Sequence, residues 1–66
     1  MNIKLLKEYI KNNGYTYTFI AKKMCISRES LYKKLKGQTE FKASELNKLS
    51  ILLHLSEEEA SNIFFN

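Results

Sequence analysis

Apolar residues recur three and four positions apart almost from the start of the chain. Ile3, Leu6 and Ile10, flanked by Leu5 and Tyr9, fall on one side of a helix. Asn2 can cap its start and Asn12-Asn13-Gly14 supplies a stop, which predicts a first helix from Ile3 to about Asn12. Thr16 is a suitable N-cap for a second helix over residues 17–24, with Phe19 or Ile20, Ala21 and Met24 turned inward. Ser27 can cap a third over 28–35, where Leu31 and Leu35 stand four apart and Gly37 marks the end.

Gly37-Gln38-Thr39 reads as a loop, with Phe41 beyond it able to plug the core. Leu46, Leu49, Leu52 and Leu53 stripe a fourth helix over 43–53. Ser56-Glu57-Glu58-Glu59 has the spacing of a capping box and opens a fifth over 57–64, with Ala60, Ile63 and Phe64 apolar. Strand-like alternation is confined to Tyr15–Phe19, and the chain holds no repeat, linker or low-complexity tract. The expectation is an all-α fold: five short helices in one domain spanning residues 1–66.

Sixty-six residues limit what such a fold can enclose. A chain this short buries only about 60% of its unfolded surface, so an enclosed catalytic cavity is not expected. One cysteine, Cys25, forms no intramolecular disulfide, and one cysteine with one histidine, His54, is too few for a four-ligand zinc site. No Ser/His/Asp or Cys/His constellation, acid pair in an apolar setting or phosphate loop is present. The reading is therefore of a non-enzymatic protein with no catalytic residue, metal, cofactor or small-molecule ligand. No run approaches the roughly 20 apolar residues of a membrane span, and lysines interrupt the first ten positions where a signal peptide would be unbroken. A cytoplasmic location and no membrane partner are expected.

The net charge of +4 is unevenly spread. Residues 22–42 hold seven basic and two acidic side chains, a net of +5, whereas 1–21 is +2 and 43–66 is −3. A basic middle third suits a polyanionic partner.

That middle third also holds the predicted second and third helices, joined only by Met24-Cys25-Ile26, a connection suited to a helix-turn-helix crossing. At about 100° per residue with Arg28 at zero, Tyr32 falls near 40°, Lys36 near 80°, Glu29 near 100° and Lys33 near 140°, while Leu31 and Leu35 lie near 300° and 340°. One side packs inward and a polar arc faces out, as a helix reading the major groove requires. Arg28 and Glu29 stand in the first turn, where base edges are reached; arginine can bind guanine and glutamate can accept from cytosine N4. Tyr32 offers a ring to a thymine methyl, and Lys33 can reach guanine or a phosphate. These four are the predicted base contacts. Glu29 is equally suited to an i, i+4 pair with Lys33. Lys34, Lys36 and Lys42 are assigned to the DNA backbone, as are Thr16, Tyr17 and Ser27 at the two helix starts.

With these residues in view, the order from Leu5 to about Phe65 resembles small phage-type helix-turn-helix proteins of the Cro and repressor family. The matching positions are Ile20-Ala21, Met24, Ile26-Ser27, Leu31 and Gly37. The run "SLYKKLKGQTEF", with "SELNKLS" and "LHLSEEEASNIFF" beyond it, further resembles small regulators of Gram-positive bacteria, their phages and prophages. The resemblance implies a lambda-repressor-like bundle, binding of double-stranded DNA as a homodimer at a palindromic operator, and repression of transcription. It also marks departures. Tyr17 replaces a frequent glutamine, Lys36 a frequent asparagine and Cys25 the usual turn glycine, and Lys34 occupies a commonly apolar position, which implies a slightly rotated third helix.

Ile63-Phe64-Phe65 exceeds what one side of a short terminal helix can bury, and these three are the predicted dimer contacts. The alternative function is a helical protein–protein interaction module whose basic face docks onto an acidic partner. His54 reads as a helix-end residue. Cys25 reads as a corner residue rather than a redox switch, and if it takes the left-handed conformation of the glycine that the resemblance places there, a cost of about 1 kcal/mol is expected.

Overall fold

A computed structural model describes residues 1–65 and contains five α-helices in chain order: α1 Ile3–Asn12, α2 Tyr17–Lys23, α3 Arg28–Leu35, α4 Ala43–Leu52 and α5 Glu57–Phe64. No strand occurs among the described residues. Helices α2 and α4 end one residue before the periodicity suggests, because Met24 and Leu53 are C-caps. Four starts are capped by short polar side chains that take a backbone N–H otherwise without a partner. Asn2 accepts from Leu5, Thr16 from Phe19, Ser27 from Ser30 and Ser56 from Glu59, all at 3.0–3.1 Å. Glu59 returns the bond by accepting from the Ser56 N–H at 2.9 Å, which completes the capping box.

The first four helices share one way of stopping. Past each C-cap the chain takes a positive φ, at Gly14 (75°), Cys25 (59°), Gly37 (80°) and His54 (55°). The following N–H then reaches back to a carbonyl five residues earlier: Tyr15 to Ile10, Ile26 to Ala21, Gln38 to Lys33 and Leu55 to Ser50, at 2.9–3.2 Å. This satisfies carbonyls that the helix end leaves open. Glycine takes the left-handed conformation freely, whereas Cys25 and His54 carry a Cβ into it at a cost. His54 is thus a helix-end residue with a specific backbone task.

Each helix gives its inward side to one core. Leu6, Ile10, Ile20, Leu31, Leu49 and Ile63 are the largest fully buried side chains, joined by Ala21, Met24, Leu35, Leu53 and Phe64. In α2 the inward residue is Ile20, while Phe19 stays half-buried and stacks on Tyr15 with centroids 4.8 Å apart. Phe41 is half-buried against the core. Helix α5 closes the bundle onto α1: the Asn2 N–H donates to the Ile63 carbonyl at 2.7 Å, and Tyr9 Oη donates to Glu59 Oε2 at 2.8 Å.

Two sequence-based expectations are corrected by this packing. Ile63 and Phe64 are core residues, so only Phe65, 76% exposed, remains of the predicted dimer contacts. Helix α5 packs against α1, and both residues belong to the shared core. Lys34 is likewise not an outward phosphate contact, being only 8% exposed. At about 100° per residue it lies some 60° from Leu31, on the inward side of α3. The helix therefore keeps Leu31, Lys34 and Leu35 buried together, and no rotation is needed to accommodate the lysine.

Burying an ammonium costs several kcal/mol unless it is paired and hydrogen-bonded. Lys34 Nζ lies 3.2 Å from Glu45 Oε1, donates to the Glu40 carbonyl at 3.1 Å and sits 5.9 Å from the centroid of the Phe41 ring. Glu45 Oε1 also accepts from the Lys42 N–H at 2.7 Å, which fixes the start of α4. One ion pair thus ties α3, the 36–42 loop and α4 together. Burial pushes the Glu45 carboxyl up, but the Lys42 N–H and the Lys34 ammonium outweigh it and hold the group below its ordinary value. Glu59 is also held low, by the Ser56 N–H, the Tyr9 hydroxyl and the Ser56 side chain; the same bond raises Tyr9.

Lys34→Met, which leaves Glu45 without its cation, should cost about 1–3 kcal/mol in urea denaturation. Lys34→Met/Glu45→Gln should recover part of that loss. Parent-like stability of the single variant would show that the pair does not hold α3 in place. Glu45 and Glu59 have depressed native values, so the stability they contribute is complete above the unfolded value of 4.5 and is lost as pH falls through the native ones. Thermal melts from about pH 6 to about pH 3 should show this acid limb, shallower in Glu45→Gln. Cys25→Gly should raise stability by about 1 kcal/mol in urea denaturation by relieving the left-handed conformation. A less stable variant would contradict that account of the corner.

Candidate nucleic-acid interface

The corner between α2 and α3 sets the interface. Met24, Cys25 and Ile26 reverse the chain through the positive φ of Cys25 and the Ile26–Ala21 backbone bond, and Ser27 starts α3 at once. Ala21, 3% exposed, lets the two helices approach closely, and Ile20 and Met24 join Leu31 and Leu35 in the core. Cys25 itself is exposed.

With Leu31, Lys34 and Leu35 inward, the opposite side of α3 presents Arg28, Glu29, Tyr32, Lys33 and Lys36 to solvent. Tyr32, 39% exposed, is held from two directions. The Arg28 guanidinium lies 6.0 Å from its ring centroid, and the Tyr17 ring meets it edge-on at 5.7 Å and 84°. This arrangement suits ring quadrupoles and restrains three side chains that belong to two helices. Glu29 forms no ion pair with Lys33 among the described residues, so both keep their charges toward solvent.

The remaining candidates frame that arc. Thr16 and Ser27 are exposed, and their hydroxyl oxygens accept backbone N–H groups, leaving each hydroxyl proton free to donate outward. Lys36 is the exposed C-cap of α3, and Lys42 is the exposed residue before α4. Tyr17 is half-buried, its ring occupied by Tyr32. Sequence reasoning missed Glu45, the partner that turns Lys34 inward, because the pair joins positions eleven residues apart on separate helices.

No group of three or more His, Cys, Asp or Glu side chains is placed to hold a metal ion among the described residues. None of the described helices is long and apolar enough to cross a membrane. What the geometry offers is a convex helix of the width a major groove admits, with hydrogen-bonding groups in its first turns and positive charge around them.

No curated protein and no solved structure gives a significant match to the chain. A family model described as helix-turn-helix matches residues 6–59, from the first buried leucine of α1 into the first turn of α5. The chain therefore belongs to the helix-turn-helix family, of the Cro/C1 type, whose members are DNA-binding transcription regulators.

Proposed function

We propose that the protein is a repressor, of phage or prophage type and acting in the bacterial cytoplasm, that binds a palindromic operator as a homodimer. The observation that carries this reading is the division of α3 into an inward side locked by Leu31, Lys34 and Leu35 and an outward arc left open. Arg28 and Glu29, in the first turn, read base edges; Arg28 donates to guanine O6 and N7, and Glu29 accepts from cytosine N4. Tyr32 covers a thymine methyl, and Lys33 reaches a guanine or a phosphate one turn further on. Thr16, Tyr17, Ser27, Lys36 and Lys42 hold the sugar–phosphate backbone and fix the register.

Geometry supports two copies. The chain presents one outward arc, on α3, whereas the half-sites of a palindrome lie roughly 34 Å apart, one helical turn. One copy therefore reads one half-site. Phe65, 76% exposed at the end of α5, is the residue we assign to the contact between copies.

Selection from random duplex DNA should return a palindromic consensus. Arg28→Ala should relax preference at one position of each half-site and cost about 1–3 kcal/mol. Lys36→Ala should weaken all sequences alike and lower the salt slope by about 1. If both variants bound random and selected duplexes like the parent, α3 would not be the reading element; if no duplex were enriched by the folded parent, operator binding would be refuted.

A further inference from the structure

Helix α1 carries Lys4, Lys7 and Lys11, three and four residues apart and so on one side. All three are exposed, and none forms an ion pair among the described residues. With Tyr15, Thr16 and Tyr17 they border an open groove of about 600 Å³ between α1 and the start of α2. Glu8 stands on the same rim, one carboxylate against three ammonium groups. The core packing does not use these lysines, and their shared side leaves the groove positively charged.

What fits such a groove must be anionic at intervals and apolar between its charges, because its lining combines three exposed lysines with Ile10 and two tyrosines. A DNA strand has that alternation, phosphate followed by deoxyribose. Continuity selects the same occupant. Tyr17 borders the groove and also packs edge-on against Tyr32 on the outward arc of α3, so the groove opens beside the DNA-reading side. The geometry points to this groove as a seat for the sugar–phosphate strand flanking the half-site read by α3, with Lys4, Lys7 and Lys11 on consecutive phosphates and Tyr15 and Tyr17 against the sugars. The inference rests on the DNA-binding reading above and extends the footprint beyond the bases that α3 can reach.

The test is a salt titration of Lys4→Gln/Lys7→Gln/Lys11→Gln on the selected operator, with the duplex either trimmed to its half-sites or extended on both sides. The slope of log Kobs against log salt should fall by about 0.9 per lysine. The affinity that the parent gains from the flanks should disappear, and the base consensus should stay as it was, since phosphate contacts carry no sequence information. Lys23→Gln/Lys48→Gln is the control for diffuse charge, because these lysines border a different surface with Ile51 and Leu52. Its slope should remain near that of the parent. If the triple variant loses helicity, Lys7→Gln alone should still lower the slope by about 0.9. An unchanged slope, an equal loss per lysine in the control, or an altered consensus would overturn the groove assignment while leaving recognition by α3 standing. A parent that binds no duplex would overturn both.

Discussion

A lysine ammonium beneath the surface must be paired, and in this protein that requirement ties α3 to α4. Lys34 lies on the inward side of α3, and its charge is satisfied by Glu45 of α4 and the carbonyl of Glu40. Because Glu45 also takes the Lys42 N–H, the carboxylate fixes where α4 begins while it fixes how α3 is turned. An apolar residue at position 34 would hold α3 against the core without direction. The ion pair adds direction, since it is satisfied at one rotation of α3 and one placement of the 36–42 loop. Arg28, Glu29 and Lys33 face outward because Leu31, Lys34 and Leu35 are held together on the inner side.

The backbone turns show the same economy. Four helices end by the same left-handed step, and the connections that follow take four residues in three cases and seven after α3, which leaves little of a 66-residue chain in loops. At Gly14 and Gly37 the step is free of Cβ strain; at Cys25 and His54 it is imposed by the surrounding packing. The neighbouring residues explain why it persists. Ile26 is half-buried against the core directly after Cys25, and Leu55 does the same after His54. Each hydrophobic residue is delivered to the core only if the chain takes the left-handed step before it.

Much of this was legible in the sequence, and the divide between what was and was not follows from interaction range. Helix starts were readable because Asn2, Thr16, Ser27 and Ser56 act on N–H groups within three residues. The Cys25 corner was readable because three residues between two apolar periodicities admit few conformations. Lys34 was misassigned because a lysine reads as outward until its compensating carboxylate is found, and Glu45 lies on another helix. Its angular position on α3 was available all along and pointed inward. Ile63 and Phe64 were misplaced for a related reason: the core that buries them is assembled from helices far away along the chain. Of the interface, the identity of the outward arc was visible, whereas the clamp of Tyr32 between Arg28 and Tyr17 required the crossing of α2 and α3.

Turning Lys34 inward also divides the basic residues by task. Of the seven in the middle third, one is used for architecture and six remain exposed. A positive surface alone would attract any duplex and distinguish none, since phosphates are the same along every sequence. Discrimination needs side chains whose positions are fixed before they meet a base, because ordering them afterwards costs conformational entropy. Tyr32 supplies that order on the outside, restrained by Arg28 and Tyr17, as Lys34 supplies it on the inside. The exposed lysines around Tyr32 form no ion pair among the described residues. An eight-residue helix can therefore present an ordered outward arc when a buried ion pair anchors its inner side and ring contacts restrain its outer one.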